Sequence, residues 1–148
     1  MAKKDIDQLV ELLNDALELE HAARIQYLAH AQEIIGINAE PIVARLKEIA
    51  DDEKKHEDMF RDMIGNYLGM TPSMCIAETH CAQDTKEILN INLQNEQHAI
   101  DVYEGIMEKI KGMKKDLKYK YYQLEHSLRH IIMDEEEHIS ELKVLLGI

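Results

Sequence analysis

The chain has 148 residues, of which 45% are hydrophobic, so it can bury one sizeable core and is expected to form a single domain over residues 1–148. Its formal net charge of −12, from 17 basic and 29 acidic residues, disfavours nucleic acid and anionic membranes as partners and favours cations. No segment suits a membrane helix, the start lacks the apolar run of a signal peptide, and two cysteines are compatible with a reducing compartment, so we expect a cytoplasmic protein.

Apolar residues at helical spacing predict an all-α protein, and only 2 prolines and 6 glycines interrupt the chain. The first helix is predicted over residues 5–35, with Gly36 as its stop. Pro41 suits the first turn of a second helix, which is predicted to end near Gly69. Because the turn between the two helices is short, we expect them to pack antiparallel.

A longer connection follows, since the chain has no sustained apolar period from Gly69 to about Gln83. A third helix is predicted over residues 84–111, and a fourth over residues 116–146, with Gly112 between them. Loops that are short, long and short predict a four-helix bundle of two antiparallel hairpins joined by a long crossover. No fifth helix is predicted.

One arrangement of residues occurs twice along the chain. A lone glutamate has an alanine three residues later and a tyrosine seven residues later, and an Asp-Glu-x-x-His motif follows at a distance. The first copy consists of Glu20, Ala23, Tyr27, Asp52, Glu53 and His56. The second copy consists of Glu96, Ala99, Tyr103, Asp134, Glu135 and His138.

Six polar residues of this arrangement fall on the apolar faces of the predicted helices: Glu20, Glu53, His56, Glu96, Glu135 and His138. Buried carboxylates are costly without compensation, so four of them in one core require cations or protons. A glutamate and a histidine three residues apart are neighbours on a helix, and this ligand set on four helices can hold two metal ions side by side. Oxygen ligands with one histidine per metal suit iron, which we expect, or manganese or zinc.

Glu-x-x-His alone is weak evidence, because 18 glutamates and 8 histidines give about one occurrence by chance. A third instance, Glu18 with His21, is not assigned to the site, because Glu18 lies nearly opposite the apolar stripe of its helix. The alternative is a structural core whose acids and histidines are partnered, for example by Arg24 or Arg129.

The two tyrosines of the repeated arrangement, Tyr27 and Tyr103, lie two helical turns after the lone glutamates on the same face. Their hydroxyls are placed to hydrogen-bond a ligand carboxylate, although core packing alone would also explain them. The remaining histidines are expected to be solvated or satisfied locally, namely His30, His98, His126 and His130.

The six positions and their order resemble the ferritin-like di-iron carboxylate family, most closely its bacterioferritin and mini-ferritin (Dps-like) type. The resembling segments are residues 19–27, 52–56 and 133–138, with Glu96 in the third-helix position, and the resemblance spans nearly the whole chain. It implies that Glu20 and Glu96 are terminal ligands, that Glu53 and Glu135 bridge two iron ions, and that each histidine binds one iron.

The resemblance also implies a function: a ferroxidase that oxidises Fe(II) with dioxygen or hydrogen peroxide, for iron storage or detoxification in a ferritin-like cage. The alternatives are a non-storage peroxidase or catalase-like dimetal enzyme of the rubrerythrin type, and a metal-binding helical module without turnover. Rubrerythrins usually carry a glutamate where this chain has Ala99, and no Cys-x-x-Cys rubredoxin module is present.

Two departures from the family refine these expectations. Lys54 stands where bacterioferritins have the methionine that binds haem, so haem is not expected. The missing fifth helix makes a dodecamer or a dimer a better expectation than a 24-subunit cage.

Cys75 and Cys81 lie in the crossover beside His80, and ordinary thiols are expected there in preference to a redox or metal-relay pair.

Overall fold

A computed structural model describes residues 2–148, and the predicted domain start at Met1 lies outside the described residues. The described chain contains four long α-helices, and one short α-helix precedes the last of them. They are α1 (Ala2–Ala31), α2 (Ala39–Arg61), α3 (Thr85–Gly112), the short α4 (Lys114–Leu117) and α5 (Lys120–Leu146). No strand occurs within residues 2–148, so the prediction of an all-α four-helix bundle is confirmed.

The long helices pair as two hairpins, α1 with α2 and α3 with α5, and the hairpins meet mainly through α1 and α3. Buried apolar side chains form two clusters at different heights in the bundle. One includes Leu13, Phe60, Ile106 and Leu128, and the other includes Ile34, Ile49, Leu89 and Leu142. Between these clusters every long helix turns at least one buried polar side chain inward.

The first hairpin differs from the prediction at its helix ends. α1 stops at Ala31 because the amides of Gln32 and Glu33 bond to carbonyls three residues back, which tightens the last turn. After α2 the chain continues as a π-helical segment over Asp62–Tyr67, and Gly69 at φ +67° ends it.

The second hairpin begins as predicted, since Oδ1 of Asp84 caps α3 by accepting a bond from the amide of Glu87 at 2.8 Å. The predicted start of the fourth helix at Asp116 is wrong. Residues 114–117 form the separate helix α4, and Lys118, at a positive φ of 57°, breaks the path before α5 begins at Lys120. This short helix also corrects the prediction that no fifth helix exists.

The crossover, residues 68–84, runs along the outside of α1. The amide of Ala77 donates to the carbonyl of Glu18 at 3.0 Å, and the Ser73 hydroxyl donates to the Glu18 carboxylate at 2.5 Å.

Among residues 2–148, none of the helices combines the length and apolar composition needed to span a bilayer.

Candidate metal centre

The six polar residues singled out from the sequence lie at one level of the bundle, between the two apolar clusters. None exposes more than 3% of its surface: Glu20, Glu53, His56, Glu96, Glu135 and His138. Each long helix contributes at least one of them, with Glu20 on α1 and Glu96 on α3. α2 and α5 each supply a Glu-x-x-His pair on one face, because residues three apart are neighbours on a helix.

The ligand atoms of these residues fall into two groups, within each of which all atoms lie within 4.8 Å of one another. One group consists of Glu20, Glu53, His56 and Glu135, and the other of Glu53, Glu96, Glu135 and His138. Glu53 and Glu135 belong to both groups. The arrangement therefore has two adjacent positions for a cation, with two carboxylates shared between them.

Distances around each imidazole describe the same arrangement. Nδ1 of His56 lies 2.9 Å from Glu135 and 3.4 Å from Glu53, both at Oε1. Nδ1 of His138 lies 3.4 Å from Oε1 of Glu53 and 3.5 Å from Oε2 of Glu96. The two ring centroids are 6.1 Å apart.

Each of the six side chains has one buried atom without a hydrogen-bond partner. These atoms are Glu20 Oε2, Glu53 Oε1, His56 Nδ1, Glu96 Oε2, Glu135 Oε1 and His138 Nδ1, and no other such buried side-chain atom occurs in residues 2–148. The imidazole and carboxylate atoms are close, but their angles are not those of hydrogen bonds. Buried polar atoms are normally paired, so six exceptions in one place fit a set of metal ligands.

Each tyrosine of the repeated arrangement bonds to the lone glutamate of the other copy. The Tyr27 hydroxyl donates to Oε1 of Glu96 at 2.7 Å, and the Tyr103 hydroxyl donates to Oε1 of Glu20 at 2.6 Å. Burial, together with nearby carboxylates, raises the pKa of both tyrosines well above 10.0, so both remain protonated donors. In each glutamate the oxygen left without a partner is the other one, Oε2.

The aspartates of the two Asp-Glu-x-x-His motifs make the same kind of crossed contact. Nε2 of His56 donates to Oδ2 of Asp134 at 2.9 Å, and Nε2 of His138 donates to Oδ2 of Asp52 at 3.0 Å. A carboxylate on the outer nitrogen fixes the ring and leaves the inner Nδ1 free as a ligand atom. Both aspartates stand in the repeated sequence motif, but their role was not predicted from the sequence.

The pKa values show how strongly the centre needs positive charge. Burial raises the pKa of Glu53 and Glu135 well above 4.5, and neighbouring carboxylates raise it further. Burial alone would lower the pKa of His56 and His138, but nearby carboxylates outweigh burial and raise it to about 12 and about 9 respectively. The centre therefore retains protons at neutral pH unless cations replace them.

The third Glu-x-x-His pair, Glu18 with His21, lies outside the centre and supports the crossover. Nδ1 of His21 donates to the carbonyl of Cys75 at 2.7 Å, and its Nε2 lies 2.7 Å from the Arg61 guanidinium. Its exclusion from the six-residue set agrees with the geometry, since neither Glu18 nor His21 belongs to the two ligand groups.

The arginines offered as partners for a purely structural core bind elsewhere. Arg129 pairs with Glu125 on the surface of α5, whereas Arg24 pairs with Glu57, a buried carboxylate that the sequence analysis missed. Arg61 also bonds to Glu57, at 3.0 Å. Glu57 follows His56 directly, and only the three-dimensional packing distinguishes it from a surface acid.

The remaining histidines and the cysteines lie outside the six-residue set. His30 is buried and bonded to neighbours, whereas His98, His126 and His130 are exposed. Cys75 and Cys81 are both free and exposed.

The chain is similar in sequence to known proteins. A family model described as "Ferritin-like domain" matches residues 10–148. A bacterial ferritin of Neisseria meningitidis serogroup B is 32% identical over 94 residues, and one of Neisseria gonorrhoeae matches equally. The match covers 63% of this chain, and the chain spans about 60% of the length of these curated relatives.

Two solved structures share the fold over 96% of this chain. A ferritin-like, diiron-carboxylate protein from Bacillus anthracis superposes with a TM-score of 0.87 at 28% identity, over 97% of its own length. A dodecameric thioferritin, the bacterioferritin-related protein of Bacteroides fragilis, superposes with a TM-score of 0.80 at 26% identity, over 86% of its length.

Proposed function

Because this chain belongs to the ferritin-like domain family, we propose that it is a di-iron ferroxidase, which oxidises Fe(II) with dioxygen or hydrogen peroxide for iron storage or detoxification. One observation carries the proposal. Six buried side chains, from four helices, each present one unpartnered ligand atom, and these atoms form two groups that share two carboxylates. Fe(II) is the substrate of the centre in this proposal.

Each residue has a distinct role in this proposal. Glu53 and Glu135 bridge the two ions, because both belong to both ligand groups. Glu20 with His56 completes one position, and Glu96 with His138 completes the other. Tyr27 and Tyr103 fix the orientation of the terminal glutamates through their hydroxyl bonds.

The ligand chemistry suits this reaction. Carboxylate oxygens are hard ligands that stabilise Fe(III), although manganese or zinc would also accept this set. Each of two Fe(II) ions gives up one electron. Hydrogen peroxide takes both electrons with two protons, its O–O bond breaks, and two water molecules form. With dioxygen as the oxidant, the same two electrons and two protons give one hydrogen peroxide.

We propose that the functional form is a homo-oligomer in the cytoplasm, with a dodecamer as the first expectation. The dodecameric relative from Bacteroides fragilis supports this choice at 26% identity, and a 24-subunit cage or a dimer remains the alternative. The net charge of −12 would draw Fe(II) toward the protein.

The direct experiment is aerobic oxidation of Fe(II), followed by ferric absorbance, in the wild type and in Glu53→Ala/Glu135→Ala. The double variant should lose the acceleration over buffer, because both bridging carboxylates are gone. Glu48→Ala/Glu136→Ala is the matched control, since both of these glutamates are exposed, and it should oxidise iron at the wild-type rate. An unchanged rate in Glu53→Ala/Glu135→Ala would show that iron is not oxidised at the assigned centre.

A second candidate is a non-storage dimetal peroxidase that uses the same ligands. The Bacillus anthracis structure, with a TM-score of 0.87, is that of a ferritin-like, diiron-carboxylate protein, and a peroxidase would use the same carboxylate chemistry. Native mass and iron retention distinguish the two functions. A hollow assembly that retains many more irons than its ligand positions supports storage, whereas a dimer that holds only two per chain supports the peroxidase.

A further inference from the structure

A cavity of about 270 Å³ lies between α1, α3 and the crossover, directly beside the candidate metal centre. It is large enough for a small guest, since an apolar cavity of about 150 Å³ already holds benzene. The neighbouring ligands that line it are Glu20, Glu53, Glu96 and Glu135. Neither His56 nor His138 is among its lining residues.

The cavity therefore reaches the centre from its carboxylate side. On the histidine side, the outer imidazole nitrogens are already bonded to Asp134 and Asp52. A molecule in the cavity meets all four carboxylates without displacing either contact.

Small side chains keep this space open at equivalent places in the two hairpins. Ala23 follows Glu20 by three residues, Ala99 follows Glu96 by three, and both line the cavity. A larger residue at either position would fill the volume next to a ligand glutamate.

The crossover covers the cavity with Ala77, Glu78 and His80, and its position is fixed by side chains beneath it. Oε1 of Gln26 accepts a bond from the His80 amide at 2.7 Å, and Nε2 of His30 lies 2.9 Å from the His80 carbonyl.

Those two side chains are held in turn by Asn92. Its Oδ1 accepts a bond from Gln26 at 2.9 Å, and its Nδ2 lies 2.9 Å from Nδ1 of His30. In this arrangement His30 accepts at Nδ1 and donates at Nε2. The cover is thus held to α1 and α3 through hydrogen bonds, so the cavity is a defined feature of the bundle and not a packing defect.

From these observations we infer that the cavity is the binding chamber for the oxidant, a small uncharged molecule such as dioxygen or hydrogen peroxide. The net charge of −12 disfavours an anionic oxidant. The alanines leave room next to the centre, and the bonded crossover limits what enters. This inference rests on the proposed function and locates one of its two substrates.

The first test fills the chamber with Ala99→Leu while all six ligands are kept. Cobalt(II) titration should give wild-type stoichiometry and affinity. Oxidation of Fe(II) should become slower by about tenfold or more, because the approach of one reactant is obstructed. Dioxygen and anaerobic hydrogen peroxide are tested separately, and the oxidant that is slowed is the one that uses the chamber. Ala44→Leu, on the exposed face of α2, is the matched control and should behave as the wild type.

The second test does not depend on turnover. Crystals of the metal-free protein under xenon pressure should show a xenon atom in the chamber of the wild type and none in that of Ala99→Leu. Ala23→Leu, at the equivalent position of the first hairpin, replaces Ala99→Leu should that variant not fold.

The outcomes separate this inference from the proposed function. Absence of xenon from the wild-type chamber, or wild-type rates with both oxidants in the filled variants, would overturn the oxidant chamber alone. Failure of the wild type itself to bind or oxidise iron would overturn the proposed function, and the oxidant chamber with it.

Discussion

Asp134 on α5 accepts a hydrogen bond from His56 on α2, with 2.9 Å between Oδ2 and Nε2. The reciprocal contact joins His138 to Asp52 at 3.0 Å, so each Asp-Glu-x-x-His motif supports the histidine of the other. In the same way, Tyr27 on α1 bonds to Glu96 on α3, and Tyr103 on α3 bonds to Glu20 on α1. Each proposed metal position therefore depends on both hairpins, and neither hairpin can complete a site by itself.

The aspartate contact gives the first prediction. Asp134→Asn removes the negative charge that orients His56 while keeping nearly the same shape, so metal affinity should fall by about 10- to 100-fold. Cobalt(II) titration measures this affinity. Asp51→Asn, at an exposed aspartate on α2, is the control and should bind as the wild type. Equal affinities in both variants would show that Asp134 plays no part in the site.

A second prediction concerns the tyrosine contacts. Tyr103→Phe removes the hydroxyl that bonds to Glu20 at 2.6 Å, and it leaves a buried carboxylate oxygen without a partner. The free energy of unfolding should fall by about 1–3 kcal/mol, the cost of an unsatisfied buried group, when measured on metal-free protein by urea denaturation. Tyr122→Phe, at an exposed tyrosine of α5, should change it by less than about 0.5 kcal/mol. A similar loss in both variants would contradict the assigned contact.

The buried acid Glu57 gives a third prediction. Glu57→Gln weakens its bonds to Arg24 and Arg61, so stability should fall by about 1.5–3 kcal/mol, the range for hydrogen bonds to charged groups. Glu48→Gln, which affects only an exposed pair with Arg45, should have little effect. Thermal unfolding of the two variants compares them, and equal midpoints would argue against a stabilising role for the buried group.

The fourth prediction is a pH dependence of the metal-free protein. The pKa of His138 is raised from 6.5 to about 9 and that of His56 to about 12, so the folded state holds these protons more tightly than the unfolded state. Their stabilising contribution is complete below pH 6.5 and is lost as the pH rises toward those values. Stability should therefore decline between pH 6.5 and about 9.

Urea unfolding across that range is the measurement, with metal-saturated protein as the comparison. Bound cations replace the protons, so the metal-saturated form should show a much smaller decline. Glu57 acts in another range: burial raises its pKa, but Arg24 and Arg61 outweigh burial and lower it below 4.5, so its contribution is lost only in acid. Stability that rises from pH 6.5 to 9 in the metal-free protein would contradict the protonated centre.

The polar residues of the bundle interior were predictable from the sequence because helical periodicity is a local property. Glu20 and Glu96 stand on apolar stripes, so their inward direction follows from spacing alone. The roles of Asp52 and Asp134 were not predictable in this way. Their partners lie on another helix, and which helix faces which depends on how the two hairpins pack.

Features near loops were missed for a related reason. Gln26 and His30 bond to the backbone of His80, fifty or more residues further along the chain, and no periodic pattern records such a contact. The break between α4 and α5 depends on the positive φ of Lys118, a residue type that does not signal such a conformation. The fold class was predictable, whereas these tertiary contacts required coordinates.

The central claim is that six side chains from four helices hold two metal ions side by side. The most direct measurement is a crystal structure of anaerobically iron-loaded protein, with anomalous differences recorded on both sides of the iron absorption edge. We expect two iron peaks in each chain, one between Glu20 and His56 and one between Glu96 and His138, with Glu53 and Glu135 contacting both. A single peak, or iron bound elsewhere with these six side chains uncoordinated, would contradict it.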